Sequence, residues 1–311
     1  MNVSRAGHVA PATFLAIALT AYASPSPASA SPYSDINQAA ATSPITVYPL
    51  RGGVSMLEGS GGNIGVLADV DGMLLVDTGI AVSQAKIEAA LAGLSKGPIR
   101  YAVNTHWHWD HTDGNAWVHR AGAEIVAARN AAEHLQQTLR VVEWEHTFTP
   151  VEAAARPAQT ISAEKIIAMG DERVRIRPYH PGHTDGDLSV YFQRANVLVT
   201  GDTLWNGVYP FIDYVGGGGI DGAIRAAEAN LTMSGPATII IPGHGPVASR
   251  DDLKAFRDML VEIRRRVASL KAQGKTLAEV QAAKPTADYD GKWGGSIING
   301  ELFTALVYRG V

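Results

Sequence analysis

The chain has 311 residues, a formal net charge of −4 at pH 7 and 46% hydrophobic residues, a composition typical of a globular protein. Its mild acidity gives no electrostatic reason to expect a nucleic acid as a partner. Because the sequence contains no cysteine, disulfides and thiolate ligands are excluded, and a metal ion would be held by nitrogen and oxygen atoms.

The first 30 residues have the pattern of a secretory signal peptide. Arg5 precedes an apolar segment over residues 14–21 that is too short for a comfortable membrane span, and Ala28-Ser29-Ala30 matches the small-x-small pattern of a cleavage site. We therefore expect residues 1–30 to be removed and the mature protein to be periplasmic or secreted. The alternative is a disordered tail rich in alanine, proline and serine.

A polar linker is predicted over residues 31–44, followed by one domain over residues 45–311 in which strands and helices alternate. Runs such as "ITVYPL", "NIGVLADVDGMLLVDTG" and "IRYAVNTH" are typical of strands and hairpins. Helical segments are predicted at "VSQAKIEAALAGL", from Asn130 to about Val142, at "DGAIRAAEANLT" with Asp221 as its N-cap, and along an amphipathic segment that ends at Gly274.

One plan occurs twice in the sequence. "GVLADVDGMLLVDTG" and "DLSVYFQRANVLVTGDT" each read as a strand, a tight turn and a more apolar strand, followed by Asp and Thr beside Gly. This repeated pattern favours two similar halves, each a sheet covered by helices, although common hairpin patterns would also produce it. Such an arrangement predicts a layered α/β protein with its site at the strand ends and no membrane span.

The most informative segment is "NTHWHWDHTDGN", residues 104–115. His106 and His108 follow an apolar strand two positions apart, so their side chains point the same way along an extended chain. Asp110 and His111 come in the turn before the next helix. Imidazoles packed so closely would repel one another if protonated and would lack partners if buried, and a metal ion resolves both problems.

Three further candidate ligands occupy the same kind of position later in the chain. His183, Asp202 and His244 each follow or end an apolar strand and are flanked by Gly or Pro. Any one of them alone would more often be structural. Together with the four donors of the first segment, they exceed the roughly four ligands of one zinc ion and predict two ions of zinc or another first-row divalent metal.

The motifs "THWHWDH", "PGHT", "TGDT" and "PGHG", with "LLVDTG" upstream, resemble those of the metallo-β-lactamase superfamily over nearly the whole predicted domain. The resemblance implies a four-layer αββα sandwich of two mixed sheets with a two-zinc site at one edge. Asp77 matches the family's aspartate that orients the ligands by hydrogen bonds. Carried over residue by residue, the resemblance implies a first ion held by His106, His108 and His183, a second held by Asp110, His111 and His244, and Asp202 bridging both.

The activity implied by the resemblance is hydrolysis of a small-molecule substrate by hydroxide from a zinc-activated water, which Asp110 would orient and deprotonate. Class B β-lactamases usually place Cys or Ser at the position of Asp202, whereas an aspartate there is similar to glyoxalase II and the lactonases. We therefore expect an exported hydrolase that cleaves an ester, thioester or lactone-type acyl bond. The alternatives are β-lactam hydrolysis and a non-catalytic metal-binding or sensing role in the periplasm.

The substrate itself is less well defined by the sequence. The basic residues that glyoxalase II needs for glutathione, and the basic surface and inserted domain of the superfamily's nucleases, are not evident. Residues 215–219, "VGGGG", are predicted to be a flexible connection, with a mobile lid as the alternative. Aromatic residues near the ligands are predicted either to line the pocket or to complete the core: Trp107, Trp109, Trp205, Tyr209 and Phe211.

Overall fold

The computed structural model describes Met1, residues 31–179 and residues 181–311. Apart from Met1, the predicted signal peptide over residues 1–30 lies outside these described residues. Within the described part of the chain, no helix combines the length and the apolar character that a bilayer crossing requires.

The described residues form two large mixed sheets and one short hairpin. In chain order, the strands are β1 (Thr46–Pro49), β2 (Val54–Glu58), β3 (Ile64–Asp69), β4 (Gly72–Val76), β5 (Ile99–Asn104), β6 (Glu124–Ala128), β7 (Leu139–Val141), β8 (His146–Phe148), β9 (Gln159–Ile161), β10 (Lys165–Met169), β11 (Glu172–Pro178), β12 (Leu188–Phe192), β13 (Val197–Val199) and β14 (Ile239–Ile241). The first sheet has the order β1-β2-β3-β4-β5-β6-β9 and the second β10-β11-β12-β13-β14, while β7 pairs with β8.

Helices connect and cover these strands. The α-helices are α1 (Pro32–Thr42), α2 (Gln84–Leu94), α3 (Trp109–Thr112), α4 (Asn115–Arg120), α5 (Arg129–His134), α6 (Ile220–Met233), α7 (Arg250–Ala272), α8 (Leu277–Ala282), α9 (Ala287–Trp293) and α10 (Gly300–Arg309). Short 3-10 helices span Ala81–Ser83, Ala153–Ala155 and Gly201–Thr203.

The main hydrophobic core lies between the two sheets. Strand β4 shows how the sequence divides its side chains: Leu74 and Val76 join the core shared with the second sheet, whereas Leu75 packs with Ile87 and Leu91 of α2 on the outer face. Helices α6 and α7 pack against each other and contribute to the core on the side of the second sheet. The predicted layered α/β architecture, with two mixed sheets between helices, is confirmed.

The two sheets share one local plan at the edge that matters for function. In each, an antiparallel hairpin, β3–β4 or β12–β13, is followed by a parallel partner, β5 or β14. Polar residues stand just beyond the carboxyl ends of these strands: Asp77, His106, Asp202 and His244. Since parallel neighbours direct their carboxyl ends to the same edge, both halves present their polar residues to one place.

The helix predicted from Asn130 to about Val142 is wrong beyond its first turns. Helix α5 ends at His134, and the β7–β8 hairpin follows. Contacts between aromatic rings stabilise the hairpin: the rings of Trp144 and Phe148 each lie 5.5 Å from that of Trp109. The local sequence periodicity does not predict these contacts. Tertiary packing of a segment rich in β-branched and aromatic residues overrides a weak helical pattern.

The predicted N-cap of helix α6 is also corrected. Gly219 occupies that position, and Asp221 lies in the first turn of the helix. Its carboxylate pairs with Arg264 (Nε–Oδ1 2.6 Å) and interacts favourably with the positive end of the helix dipole. The long helix α7 ends as predicted, with Gly274 just beyond it at φ +79°.

Residues 31–44, predicted to be a linker, form helix α1 over most of their length. Oγ of Ser31 caps the first turn, and Pro32 follows at a position that proline favours. Ala40 is fully buried, and its carbonyl accepts a hydrogen bond from the Ser83 hydroxyl (2.9 Å). The segment therefore belongs to the domain, because one of its faces is packed against the first sheet's helical layer.

Asn230 of α6 ties the second sheet to the 3-10 helix that carries Asp202. Its Oδ1 accepts hydrogen bonds from the hydroxyls of Tyr179 (2.7 Å) and Ser189 (2.9 Å), and its Nδ2 donates to Oγ1 of Thr203 (2.8 Å). Asn230→Leu would remove the acceptor that the buried hydroxyls of Tyr179 and Ser189 share, so we expect the free energy of unfolding to fall by roughly 3 kcal/mol in urea titrations. The exposed Thr232→Ala on the same helix should change it by less than about 0.5 kcal/mol; equal losses in the two variants would contradict the assignment.

Candidate metal centre

The residues predicted as ligands come together in the structure as two adjoining groups. In each group, one nitrogen or oxygen atom per residue lies within 4.8 Å of the others. All of these residues are buried except His244, whose side chain is 18% exposed. The first group is His106, His108, His183 and Asp202, and the second is Asp110, His111 and His244.

Asp202 lies between the two groups and faces both of them. Its Oδ1 is 3.1 Å from Nε2 of His111 and 3.3 Å from Nε2 of His244. Its Oδ2 is 3.4 Å from Nε2 of His183 and 3.7 Å from Nε2 of His106. One carboxylate oxygen therefore serves each group, which is the geometry of a bridging ligand.

The local chain conformation explains how the first segment presents its donors. His108 is extended (φ −61°, ψ 147°) and directly precedes helix α3, so it lies on the same side of the chain as His106, two positions earlier. The two rings are 4.7 Å apart. The single turn of α3 then places Asp110 and His111 beside them, and Oγ1 of Thr112 donates to the carbonyl of His108 (2.9 Å).

Hydrogen bonds to Nδ1 leave Nε2 of His183 and of His106 as the nitrogen that faces the site. Nδ1 of His183 donates to the carbonyl of Phe211 (2.8 Å), which leaves Nε2 as the inward atom. Nδ1 of His106 lies 3.0 Å from Oγ1 of Thr105. Because that hydroxyl donates its own proton to Asp77 (2.8 Å), it accepts from the ring, and Nε2 of His106 carries the lone pair.

Asp77 is placed where it orients the ligands of both groups. Its Oδ1 accepts from N of Thr105 (2.7 Å), and its Oδ2 lies 2.8 Å from both Oγ1 of Thr105 and Nδ1 of His111. The backbone of Asp77 is in the left-handed region (φ 67°), an uncommon conformation for a residue with a side chain. The surrounding structure holds this conformation and thereby aims the carboxylate at the histidine loop.

Asp213 is a functional residue that the sequence analysis missed. Its Oδ2 accepts from Nε2 of His108 and from Nε1 of Trp107, both at 3.0 Å. Its Oδ1 accepts from N of Val215 and N of Gly216, both at 2.9 Å. Asp213 therefore orients His108 much as Asp77 orients His111.

The run of glycines after Asp213 is the sequence feature that could have pointed to this residue. Residues 215–219 are neither a loose connection nor a lid, because they fold around the Asp213 carboxylate, and N of Gly218 donates to the Asp213 carbonyl (2.7 Å). A Cβ at Gly216 would collide with that carboxylate, and one at Gly218 would collide with the carbonyl of His183. Glycine is required here for close approach.

Two more polar residues fix the remaining ligand loops. Asn63 donates through Nδ2 to the carbonyls of Pro242 (3.0 Å) and Gly245 (2.9 Å), which flank His244. Asp187 accepts from N of Thr184 (3.0 Å to Oδ2) in the loop that carries His183. Burial raises the pKa of Asp187 to about 7, although its hydrogen bonds with Thr184 act in the opposite direction.

The protonation states of the buried imidazoles and carboxylates favour the binding of a cation. Burial lowers the pKa of His106 well below its usual value and that of His183 to about 4, so both rings are neutral at pH 7. Burial also disfavours charge on His111, but the neighbouring carboxylates, Asp202 first among them, hold its pKa well above the usual value. Burial raises the pKa of Asp202, yet the facing imidazoles outweigh it and hold this pKa well below normal. The Asp202 carboxylate is therefore ionised and attracts positive charge, which the raised pKa of His111 also reflects.

The donor set fits a pair of divalent cations. Nε2 of His106 and Oδ1 of Asp202 are buried and have no hydrogen-bond partner among the described residues. Such groups cost free energy unless another partner satisfies them. Nitrogen and oxygen donors without thiolates are suited to zinc or another first-row divalent ion.

A cavity of about 320 Å³ opens onto both groups. Of the aromatic residues predicted to line it, Trp109 and Trp205 do so. Trp107, Tyr209 and Phe211 are instead buried in the core, where Trp107 also supports Asp213. Four apolar lining residues are not predicted by the sequence patterns: Ile36, Trp144, Val208 and Ile297.

Comparison with known proteins gives the family that the sequence motifs resemble. The family model of the metallo-beta-lactamase superfamily matches residues 57–244, more than half of the chain. A hydroxyacylglutathione hydrolase of Rhodospirillum rubrum is 30% identical over 109 residues, 35% of this chain and 35% of that protein. An atrochrysone carboxyl ACP thioesterase of Aspergillus fumigatus is 25% identical over 280 residues, 88% of this chain and 77% of that protein. Matches to the first curated relatives cover less than half of those proteins.

Among solved structures, the DIM-1 metallo-β-lactamase superposes with a TM-score of 0.55 at 19% identity, over 70% of this chain and 97% of that one. This likeness shows the fold. The chain belongs to the metallo-β-lactamase superfamily. The family and the fold expected from the sequence are confirmed, and the structure places two groups of side chains where metal ions could be held.

Replacing Asp213 tests its orienting role. In Asp213→Asn, one of the two carboxylate oxygens becomes an amide nitrogen, so the amide cannot accept from His108 and Trp107 on one side and from two backbone N–H groups on the other. We expect the affinity for added zinc to fall by about 10–100-fold in competition with a chromogenic chelator. The exposed Asp221→Asn is the matched control. Equal affinities of the two variants would show that Asp213 has no such role.

Proposed function

We propose that the protein is an exported hydrolase that uses two zinc ions to cleave an ester, thioester or lactone-type acyl bond. The observation that carries this proposal is the position of Asp202, with one oxygen toward each group of donors. A carboxylate so placed supports two ions rather than one. The first ion would be held by His106, His108 and His183, the second by Asp110, His111 and His244, with Asp202 shared.

Bound divalent ions would lower the pKa of a coordinated water and polarise a substrate carbonyl. Asp110 is the residue of this chain best placed to handle the proton. Its Oδ2 is 3.4 Å from Nε2 of His244 and 3.6 Å from Nε2 of His111, and its side chain lines the cavity. We propose that Asp110 Oδ2 accepts a hydrogen bond from the attacking water, fixes its direction, and holds the proton released by the attack.

The comparisons support an acyl bond as the target. Two relatives are named as a hydroxyacylglutathione hydrolase and a carboxyl ACP thioesterase. No side chain with a nucleophilic role is needed for this chemistry, because water supplies the nucleophile. β-Lactam cleavage and a non-catalytic metal-binding role remain the outcomes against which the proposal is tested.

Export is proposed from the first 30 residues alone. If they form a signal peptide, the protein recovered from the periplasm or the medium should begin at Ser31, the N-cap of helix α1. N-terminal sequencing of the exported protein reads this directly. A protein that retains Met1 and stays with the cytoplasmic fraction would refute export without affecting the proposed chemistry.

Asp202→Asn is the central test of the proposed function. The substitution keeps the shape of the side chain and removes the charge shared by the two groups, so bound zinc should fall from about two ions per chain to one or fewer. Hydrolysis of p-nitrophenyl and thioester substrates should fall at least about 100-fold, because charge stabilisation worth several kcal/mol is lost. Metal content is measured by mass spectrometry, and the exposed Asp258→Asn is the control.

A panel of lactam, lactone, ester and thioester substrates separates the alternatives. Preferential cleavage of β-lactams by the metal-replete protein would replace the acyl-ester assignment. Two bound zinc ions without turnover of any class would support the non-catalytic role.

A further inference from the structure

Much of the cavity wall opposite the ligands is apolar and comes from separate parts of the chain. Ile36 belongs to helix α1, and Trp144 to the turn of the β7–β8 hairpin. Trp205 and Val208 follow Asp202, and Ile297 lies between helices α9 and α10. Ile297 is 50% exposed, which places a large apolar side chain at the rim where a substrate would enter.

The proposed ligands lie inside the segment that the family model matches, whereas part of the cavity wall lies outside it. Every proposed ligand lies within residues 57–244, the segment that the family model matches. Ile36, Ser296 and Ile297 line the same cavity and lie outside that segment. Part of the cavity wall thus comes from residues outside the matched segment that contains the proposed ligands.

Hydrogen bonds anchor both of these wall segments to neighbouring parts of the fold. Oγ of Ser60 donates to the carbonyl of Ile36 (3.0 Å), which anchors α1 beside the cavity. On the other side, N of Tyr209 donates to the carbonyl of Trp293 (2.8 Å), and the Tyr209 hydroxyl donates to Oδ1 of Asp290 (2.9 Å). These bonds join the loop after Asp202 to helix α9, so the rim at Ile297 is fixed relative to the ligands.

The wall away from the proposed metal ligands has no basic side chain. Among the described residues that line the cavity, none is Lys or Arg. A carboxylate on the substrate, away from the reacting centre, would lose its hydration here without gaining a partner, which is costly. An uncharged chain or ring would instead bury its surface against tryptophan and isoleucine side chains.

We propose that α1 and the segment around Ile297 form a specificity wall that selects uncharged, apolar acyl groups and rejects acyl groups that end in a carboxylate. This inference rests on the proposed acyl-bond hydrolysis and names its substrate class. The cavity volume of about 320 Å³ is small among ligand sites and suits a short acyl chain or a single ring.

Two esters with the same leaving group test the proposal. p-Nitrophenyl hexanoate and mono-p-nitrophenyl adipate have six-carbon acyl chains and differ in a terminal carboxylate. For the zinc-loaded protein, kcat/KM should be at least about 10-fold higher for the hexanoate. Ile297→Lys places a cation at the rim and should reduce this preference by about 10-fold or reverse it, mainly through the KM for the adipate. Equal kcat/KM values for the two esters in the wild type would overturn the specificity wall while leaving acyl hydrolysis intact.

Val261→Lys is the matched control, because Val261 is an exposed apolar residue (41%) on α7 that does not line the cavity. It should keep the wild-type preference. A shift as large as that of Ile297→Lys would mean that net charge, rather than position at the rim, sets the preference. Ile36→Ala should raise the KM for the hexanoate more than that for p-nitrophenyl acetate, with zinc content unchanged.

A binding measurement separates this proposal from the proposed function. Hexanamide and adipamate are uncleaved analogues of the two acyl groups, and the tryptophans that line the cavity report their binding by fluorescence. Hexanamide should bind at least about 10-fold more tightly than adipamate. If it does and no ester is cleaved, the specificity wall stands and the proposed hydrolysis fails. If adipamate binds equally well, the wall is refuted whatever the turnover.

Discussion

The buried carboxylate of Asp202 is the constraint on which the rest of the site depends. It lies between two groups of imidazoles and presents one oxygen to each, with Oδ1 lacking a hydrogen-bond partner among the described residues. A buried ionised group in this position is unfavourable unless positive charge compensates it. The rings of His106 and His183 are neutral, so His111, whose pKa is held well above its usual value, supplies part of that compensation, and bound cations would supply more. The donors that surround Asp202, and the loops that carry them, are arranged around this requirement.

The arrangement depends on rigid support from a repeated plan. In each sheet a hairpin ends in an aspartate, Asp77 after β4 and Asp202 after β13, and a parallel strand then delivers a histidine, His106 or His244. The two halves use their aspartates differently, however. Asp77 acts through hydrogen bonds to the loop of the first histidines, while Asp202 faces the donors themselves. Asp213, held by a glycine-rich turn, supplies the corresponding support to His108.

Selectivity has a different structural origin from chemistry in this fold. Metal-binding geometry demands side chains at the ends of strands that share an edge, so it is fixed by the sheets. The cavity wall only has to be apolar and correctly spaced, and segments outside the two sheets can supply it. Helix α1 and the segment around Ile297 do so here. The active site and the N-terminal helix are therefore one packed unit, although their sequences are about 70 residues or more apart along the chain.

The sequence by itself determined the donor set and the layered α/β class, and its family resemblance implied the division of the donors into two groups and the role of Asp77. The donor set follows from local patterns, because four donors fall within the short segment "HxHxDH" and the other three each follow or end an apolar strand. Only the tertiary structure decided that Asp213 orients His108, that residues 139–148 form a hairpin, and that residues 32–42 are a helix lining the cavity. Each of these depends on contacts between residues far apart in sequence, such as Trp107 with Asp213 and Ser83 with Ala40. The local periodicity of the sequence does not identify such partners. Their hydrogen bonds and ring contacts outweigh the weak secondary-structure preferences of the segments that they join.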